Sequence, residues 1–302
     1  MKIYKNANLN HKHRCGVIAI GNFDGIHLGH QKVINEAKRK AKKNKLPFGL
    51  MTFEPVPVMF FNKKIKNHRI NSLEQKKIQL EKFKLDFLII IKFNKKFSSL
   101  SAAEFIKKII HKKTSCRYLY VSKNFRFGFK RKGNIRTLKM YEKKFNFKNL
   151  ITKPFKKKNR IISSTYIRKK IGEGKISEVN KLLDRAWSIK GKVIKGQKRG
   201  RKIGFPTCNL RLYNYIVPKL GVYAVKVKTA NFQKNGIANI GYRPTFNGQS
   251  LLLETNIFGI NKNLYNKVLS VSFKKFIRSE KKFKNIDNLK KQIEIDIKQA
   301  KI

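Results

Sequence analysis

Hydrophobic spacing changes character once along this chain, and that change limits the fold more than any other feature. Up to about residue 183, short apolar runs alternate with stretches of helical spacing. VIAIG (17–21), GLMTF (49–53), DFLIII (86–91) and RYLYVS (117–122) read as buried strands. Between them lie QKVINEAKRKAKKNK (31–45), with Val33, Ile34, Ala37 and Ala41 on one face, a helical pattern near 72–84, and AAEFIKKII (102–110). Strands that alternate with helices predict βαβ units and a mainly parallel sheet. After Trp187 this spacing disappears. KGKVI, GVYAVKVK, GIANIG, SLLLETNIF and KVLSVSF read as short strands between Gly-rich or polar turns, the pattern of an antiparallel barrel or sandwich. A last stretch at 286–299 sets Ile286, Leu289, Ile293 and Ile297 at helical spacing and is expected to pack across the barrel. The seam falls at 183–188, and a chain of 302 residues suits two cores, 1–184 and 185–302.

Charge is less informative than its size suggests. Seventy-three Lys and Arg against sixteen Asp and Glu give a formal net charge of +57, which would attract nucleic acid, anionic membrane or phosphorylated small molecules. The lysines are spread over nearly every segment beside many Asn, Ile and Phe, which reads as compositional drift rather than a selected basic patch. Cys15, Cys116 and Cys208 are far apart and odd in number, so no disulfide framework or thiolate metal cluster is expected, and a reducing cytoplasm is the simplest location. No cleavable apolar leader and no apolar run of membrane-spanning length is found, so no membrane role is expected.

The turn after the first buried strand reads GNFDGIHLGH (21–30). A strand that feeds a glycine turn and then a helix aims free backbone N–H groups above the sheet edge, a natural place for phosphate. Gly21, Gly25 and Gly29 let the backbone approach closely, and His27 and His30 are placed to donate to phosphoryl oxygens. The spacing is not GxGxxG and no Walker lysine follows, which argues against a dinucleotide-binding dehydrogenase. In the second half, KGQKRGRKIGFPTCNL (195–210) combines glycines at 196, 200 and 204 with basic side chains and Thr207, the makings of a phosphate-binding loop. Thr207 and Asn209 offer neutral oxygens to Mg²⁺.

GNFDGIHLGH resembles the signature of the nucleotidylyltransferase superfamily. The likeness continues through TFEPVPVMFF (52–61), FNKKFSSLSAAEFI (93–106), NFRFGFKRKG (124–133) and ISSTYIRKKIGEGKI (162–176). These follow in the order found in the bifunctional riboflavin kinase and FMN adenylyltransferase family of bacteria. GFPTCN, PKLGVY (218–223), NIGYRPTF (239–246) and IRSEKKF extend the resemblance through the kinase half, so that it covers roughly residues 15–300. It implies a Rossmann-like adenylyltransferase domain followed by a barrel-shaped kinase domain. ATP would phosphorylate riboflavin to FMN, and a second ATP would adenylylate FMN to FAD with release of pyrophosphate, both steps with Mg²⁺.

The resemblance also implies roles for particular residues. His27 and His30 would stabilise the transferring phosphoryl group, with Gly21, Asn22, Phe23 and Asp24 shaping the nucleotide pocket. Ser164, Thr165 and Arg168 would hold ATP phosphates, a guanidinium gripping oxygens bidentately. Asn124, Phe125, Arg126 and Phe127 would lie by the flavin. In the kinase half Gly196, Gly204, Thr207 and Asn209 would serve the nucleotide and metal, Glu254 would be the general base, and Arg278 and Glu280 would meet the flavin. The chain departs from the family pattern at Val56, Asn124, Tyr166 and Asn266, where a histidine, an acid, an arginine and a glycine are usual. Asn266 is expected to keep its turn, because Asn tolerates left-handed backbone. The partners implied are small-molecule flavin and ATP, with no specific nucleic acid. Two other readings stand beside this one. One is a riboflavin kinase with a decayed first domain; the other is an RNA-binding protein using the basic surface and the RFGFKRKG stretch.

Overall fold

The computed structural model describes residues 1–157, 159–197, 199–245, 248–260 and 262–301. Phe246, which ends the NIGYRPTF motif, and Lys198 of the glycine-rich run lie outside the described residues. The first elements in chain order are β1 (Lys2–Tyr4), β2 (Val17–Ile20), α1 (Leu28–Lys43), β3 (Phe48–Glu54), α2 (Pro57–Phe61), α3 (Leu73–Glu81) and β4 (Phe87–Lys92). Next come α4 (Lys95–Ser98), α5 (Ala102–Glu104) with a π-helical continuation Phe105–Lys113, β5 (Tyr118–Ser122), α6 (Ile135–Tyr141), β6 (Lys148–Thr152), β7 (Lys156–Lys157) and β8 (Arg160–Ile161). The rest are α7 (Ser164–Gly172), α8 (Ile176–Leu183), β9 (Ser188–Lys192), α9 (Arg199–Lys202), β10 (Cys208–Arg211), β11 (Gly221–Lys228), β12 (Gln233–Thr245), β13 (Gly248–Ile257), β14 (Val268–Arg278) and α10 (Ile286–Lys301). Contacts divide the chain into two compact units: Met1–Ile65 with Lys76–Ser163, and Lys66–Gln75 with Ser164–Ile302.

The first unit is built on a six-stranded sheet of order β1-β4-β3-β2-β5-β6. Every neighbouring pair runs parallel, as the alternation of strands and helices predicts. All four residues of β2 are buried. Ile18 and Ile20 join Phe105, Ile106, Ile109 and Ile110 in the core, and α1 covers the sheet with Val33, Ile34, Ala37 and Ala41, the face its spacing predicts. Strands buried on both faces must be apolar throughout, which is why VIAI and FLIII show no alternation. The strand order reverses beside β2, since β3 and β4 lie to one side of it and β5 and β6 to the other. In open parallel sheets that reversal opens a crevice at the carboxyl ends of the strands.

The second unit is a six-stranded antiparallel sheet of order β10-β13-β12-β11-β14-β9. Its two ends meet where Ile194, just past β9, donates its N–H to the carbonyl of Asn209 on β10 at 2.9 Å, so the barrel is nearly closed. Asn266 holds φ at 65°, so the left-handed turn survives the loss of the usual glycine. The terminal helix α10 packs against β11, β12 and β14, but its apolar stripe is not sealed there. Ile286 is 58% exposed, and the buried residue of the helix is Asp296, at 1%. Asp296 takes that place because it receives Arg278 Nε at 2.9 and 3.0 Å and Nη2 at 2.7 Å, while Gln292 Nε2 donates to it at 3.0 Å. A buried carboxylate satisfied in this way needs no water.

Trp187, the only tryptophan, anchors the barrel at the expected seam. It is 2% exposed, stacks on Phe273 with centroids 4.7 Å apart, and donates Nε1–H to the Ile70 carbonyl at 2.7 Å. Gln75 adds a second tie from the same segment, receiving the Tyr215 hydroxyl at 2.7 Å and donating to the Ser188 carbonyl at 3.0 Å. These bonds explain why residues 66–75 cluster with the barrel. Removal of the indole in Trp187→Ala is expected to destabilise the second unit by about 3–5 kcal/mol. Urea unfolding followed by circular dichroism measures this, and a loss below about 1 kcal/mol would mean that the site collapses without cost.

Candidate functional site

The turn between β2 and α1 is shaped by an unusual run of backbone angles. Phe23, Gly25 and Ile26 have φ of 45°, 86° and 41°. Left-handed backbone is costly for a bulky or β-branched residue and persists only where the surroundings hold it. Here burial does so, since Phe23 and Ile26 are each 1% exposed and Asp24 is 2% exposed. The helix then starts at Leu28 with His27 as its N-cap, whose Nδ1 accepts the His30 N–H at 3.3 Å. The two imidazoles stack with centroids 3.7 Å apart and 22° between planes. Gly29 leaves room for this arrangement. A Cβ there would lie 3.1 Å from Cε1 and Nδ1 of His27 and 3.1 Å from the Ile162 carbonyl oxygen.

Beneath the turn lies a residue that sequence reasoning missed. Lys76, on α3, is 1% exposed and donates Nζ to the Asn22 carbonyl at 2.8 Å and to the Thr52 hydroxyl at 3.3 Å. The Thr52 hydroxyl donates to the same carbonyl at 3.1 Å. Because a trans peptide sets C=O and N–H in opposite directions, fixing the Asn22 carbonyl inward turns the Phe23 N–H away from the ammonium. Gly21, Asn22, Phe23, Asp24, His27 and His30 thus form one continuous site on a turn held from below.

The segment after β5 reaches the same sheet edge, because β5 pairs directly with β2. There Phe127 exchanges both backbone hydrogen bonds with Gly133, at 3.1 and 2.9 Å, and stacks on Phe125 with centroids 5.4 Å apart. Phe127 is buried against Phe105, so it fixes the loop, whereas Asn124 and Arg126 are exposed and Phe125 is half-buried. Ser164, Thr165 and Arg168 open α7 in the second unit, with Arg168 Nε donating to the His68 carbonyl at 2.8 Å. Tyr166, where an arginine is usual, spends its hydroxyl on Glu178 at 2.6 Å. Val56 is buried at the N-cap of α2.

If Lys76 holds the turn, its removal will show in the backbone. Hydrogen–deuterium exchange of the amides at 21–26 is expected to quicken about tenfold in Lys76→Met, equivalent to roughly 1.4 kcal/mol. Unchanged exchange would mean that the turn stands without the ammonium.

The second unit gathers its polar groups by strand register. Glu254 on β13 lies opposite Asn209 on β10 and Asn239 on β12. Register partners share a face, so these side chains form one row. Leu252 and Asn256 share that face, which lines a cavity of about 1110 Å³, whereas Leu253, Thr255 and Ile257 are buried behind it. Pockets for a single drug-sized ligand run to about 300–1,000 Å³, so this one is ample for a small molecule. Gly196, Thr207, Asn209, Glu254, Arg278 and Glu280 all line it, and the apolar side of α10 supplies Ile286, Leu289 and Ile293. Gly204 is not among the lining residues; its φ of 91° makes it a turn.

Arg243 was missed although it lies within the NIGYRPTF motif. It reaches Glu254 Oε2 from Nε at 2.8 Å and from Nη2 at 2.6 Å, and Glu280 Oε1 from Nη1 at 3.2 Å. Burial lowers its pKa, but the bonds and charges of Glu254 and then Glu280 outweigh burial, and the guanidinium ends above its usual value. Arg278 is already engaged, with Asp296 on Nε and Nη2 and the Ser279 carbonyl on Nη1 at 3.0 Å. Among the described residues no group of three or more His, Cys, Asp or Glu is placed to hold a metal. The Asn209 Oδ1, on a residue only 6% exposed, has no hydrogen-bond partner. An orphaned buried oxygen next to Thr207 fits a hard cation held by neutral oxygens and by a ligand's phosphates.

Comparison with known proteins agrees with this two-site layout. A family model described as FAD synthetase matches residues 9–166, and one described as riboflavin kinase matches 183–302. The bifunctional riboflavin kinase/FMN adenylyltransferase of Buchnera aphidicola subsp. Schizaphis graminum is 43% identical over 289 residues, covering 94% of this chain and 92% of the relative. Its counterpart in Haemophilus influenzae is 40% identical over 285 residues, covering 94% and 92%. A crystal structure from Streptococcus pneumoniae, named for a macrolide-efflux protein, superposes with a TM-score of 0.87 at 31% identity over 99% of this chain and 98% of that one. Among the described residues of the present chain, no helix is long and apolar enough to cross a membrane. With one family model matched on each half and relatives aligned over nearly its whole length, the chain belongs to the bacterial family of bifunctional riboflavin kinases/FMN adenylyltransferases.

Proposed function

We propose that this chain converts riboflavin to FAD at two separate centres, with an adenylyltransferase domain at 1–184 and a kinase domain at 185–302. As a member of its family it is a bifunctional enzyme of FAD biosynthesis, a riboflavin kinase and an FMN adenylyltransferase, and its substrates are flavin and ATP. The observation that carries the assignment of residues is their placement on two different sheets. His27 and His30 stack at a helix N-terminus above a parallel sheet, and Glu254 sits in a polar row on an antiparallel one.

In the kinase step the terminal ribityl hydroxyl attacks the γ-phosphorus of ATP, its proton passes to Glu254, and ADP departs. Glu254 and its row align the hydroxyl, and α10 lines the apolar side of the cavity. Gly196 and Thr207 take the nucleotide, with Gly204 shaping the turn of their loop, and Glu280 and Arg278 take the flavin. Thr207 and Asn209 would hold Mg²⁺, which supplies neutralisation of phosphate charge when bound. In the adenylyl step a phosphate oxygen of FMN attacks the α-phosphorus of the second ATP and pyrophosphate leaves. His27, His30 and the first N–H groups of α1 stabilise the charge that develops on the phosphoryl oxygens. Asn22 and Asp24 shape the nucleotide pocket, and Asn124, Phe125 and Arg126 lie toward the flavin, with Phe127 bracing their loop. Ser164, Thr165 and Arg168 are assigned to ATP phosphates on family resemblance. The three free cysteines accord with a cytoplasmic location.

Flavin-free protein is incubated with riboflavin, ATP and Mg²⁺, and separately with FMN, ATP and Mg²⁺, and the flavins are resolved by chromatography. FAD is expected in both, with FMN appearing first from riboflavin. FMN that accumulates without FAD would leave a kinase alone. His30→Ala is expected to lower FAD formation by about 100-fold or more while FMN formation stays near wild type. Glu254→Ala is expected to do the reverse when FMN is supplied, again by about 100-fold or more. Loss of both steps from either change in a folded protein would overturn the two-centre account.

A further inference from the structure

The proposed base Glu254 is not a lone carboxylate on the cavity wall. Arg243 binds it through two N–H groups, both directed at Oε2, and among the described residues no donor reaches Oε1. The other end of the same guanidinium is held by Glu280 Oε1, which also accepts Asn239 Nδ2 at 3.2 Å. Glu254, Arg243, Glu280 and Asn239 therefore form one connected chain of bonds, and every member lines the cavity. The backbone makes room for it at Gly241, where a Cβ would stand 2.1 Å from Glu280 Oε1 and 2.8 Å from Arg243 Nη1. Any other residue would push the carboxylate off the guanidinium.

The bonding pattern matters for proton transfer. A carboxylate bonded on both oxygens has fewer lone pairs open to a proton, and one bonded on neither is free to rotate. With Oε2 fixed by a planar, rigid donor pair, Oε1 is left open and held in one orientation. We propose that Arg243 is a positioning residue of the phosphoryl-transfer site, fixing Glu254 through one oxygen so that the other receives the proton of the ribityl hydroxyl. This inference rests on the assignment of Glu254 as the base. It adds that the orientation of the base is set by a guanidinium itself tethered to Glu280.

The test is a double-mutant cycle on FMN formation, with the fluorescence of Trp187, the only tryptophan and part of the same unit, as the measure of folded protein. Arg243→Met is expected to lower kcat for riboflavin phosphorylation by about 100-fold with KM for riboflavin little changed, since a misaligned base affects the reacting geometry rather than binding. Arg243→Lys, which keeps a donor but not the paired geometry, is expected to recover only part of the loss. Glu254→Gln alone should be equally slow, and adding Arg243→Met to it should slow it no further, because both changes remove one function. Losses that multiply in the double variant, or a loss confined to KM, would overturn the proposal and assign Arg243 to substrate binding. Wild-type kcat in Arg243→Met with a slow Glu254→Gln would overturn the proposal alone. Wild-type kcat in Glu254→Gln would overturn the base assignment and the proposal with it.

Discussion

Sixteen carboxylates must serve seventy-three cationic side chains in this protein, and where those carboxylates stand determines which cations are fixed. Most surface lysines gain little from an acid, since exposed pairs contribute only about 0–1 kcal/mol. The second unit spends its acids differently. Glu254 and Glu280 hold Arg243, and Asp296 holds Arg278, all around one cavity. The last of these also attaches the terminal helix to β14, so the wall that carries Ile286, Leu289 and Ile293 depends on a charge pair. Scarcity of acid makes each such placement consequential.

The first unit also fixes a cation in its interior. Lys76 is tied to the carbonyl of Asn22, just past β2, and to the hydroxyl of Thr52 on β3. These bonds tie the turn to the sheet. The strained angles at Phe23 and Ile26 fit this picture, because a turn held by burial and by a buried donor keeps a conformation that an isolated peptide would abandon. The stacked imidazoles then sit on a helix start whose backbone donors are already aimed.

Much of this was legible in the chain. The apolar face of α1 came from spacing alone, and the change from parallel to antiparallel texture came from the loss of helical spacing after Trp187. His27, His30, Glu254, Thr207 and Asn209 were legible through motifs, and Asn266 through the known tolerance of Asn for positive φ. Lys76 was not, for a clear reason. In LEQKKIQL hydropathy nominates Ile78 for the interior, yet Ile78 is 50% exposed and Lys76 is 1% exposed. The burial of Lys76 depends on acceptors contributed by β2 and β3, more than twenty residues away, and no local pattern encodes them. Arg243 lay in plain sight within a quoted motif, but one arginine among so many cations carries no mark until its partners at positions 254 and 280 are brought to it.

The terminal helix draws the line between the two kinds of information. Its sequence determined that it would be a helix and which side would be apolar, because a period of 3.6 residues is a local property. It did not determine what that side would face. Strand register decides that Glu254, Asn209 and Asn239 share a row, and barrel closure decides that the row borders open space rather than packed core. Asp296 on the helix is therefore buried by its ion pair while the isoleucines beside it line a cavity. The sequence by itself determined the elements, their class and the chemical groups available; the tertiary structure decided which distant donors and acceptors meet, because hydrogen bonds and charges act over a few ångströms and only folding brings their partners that close.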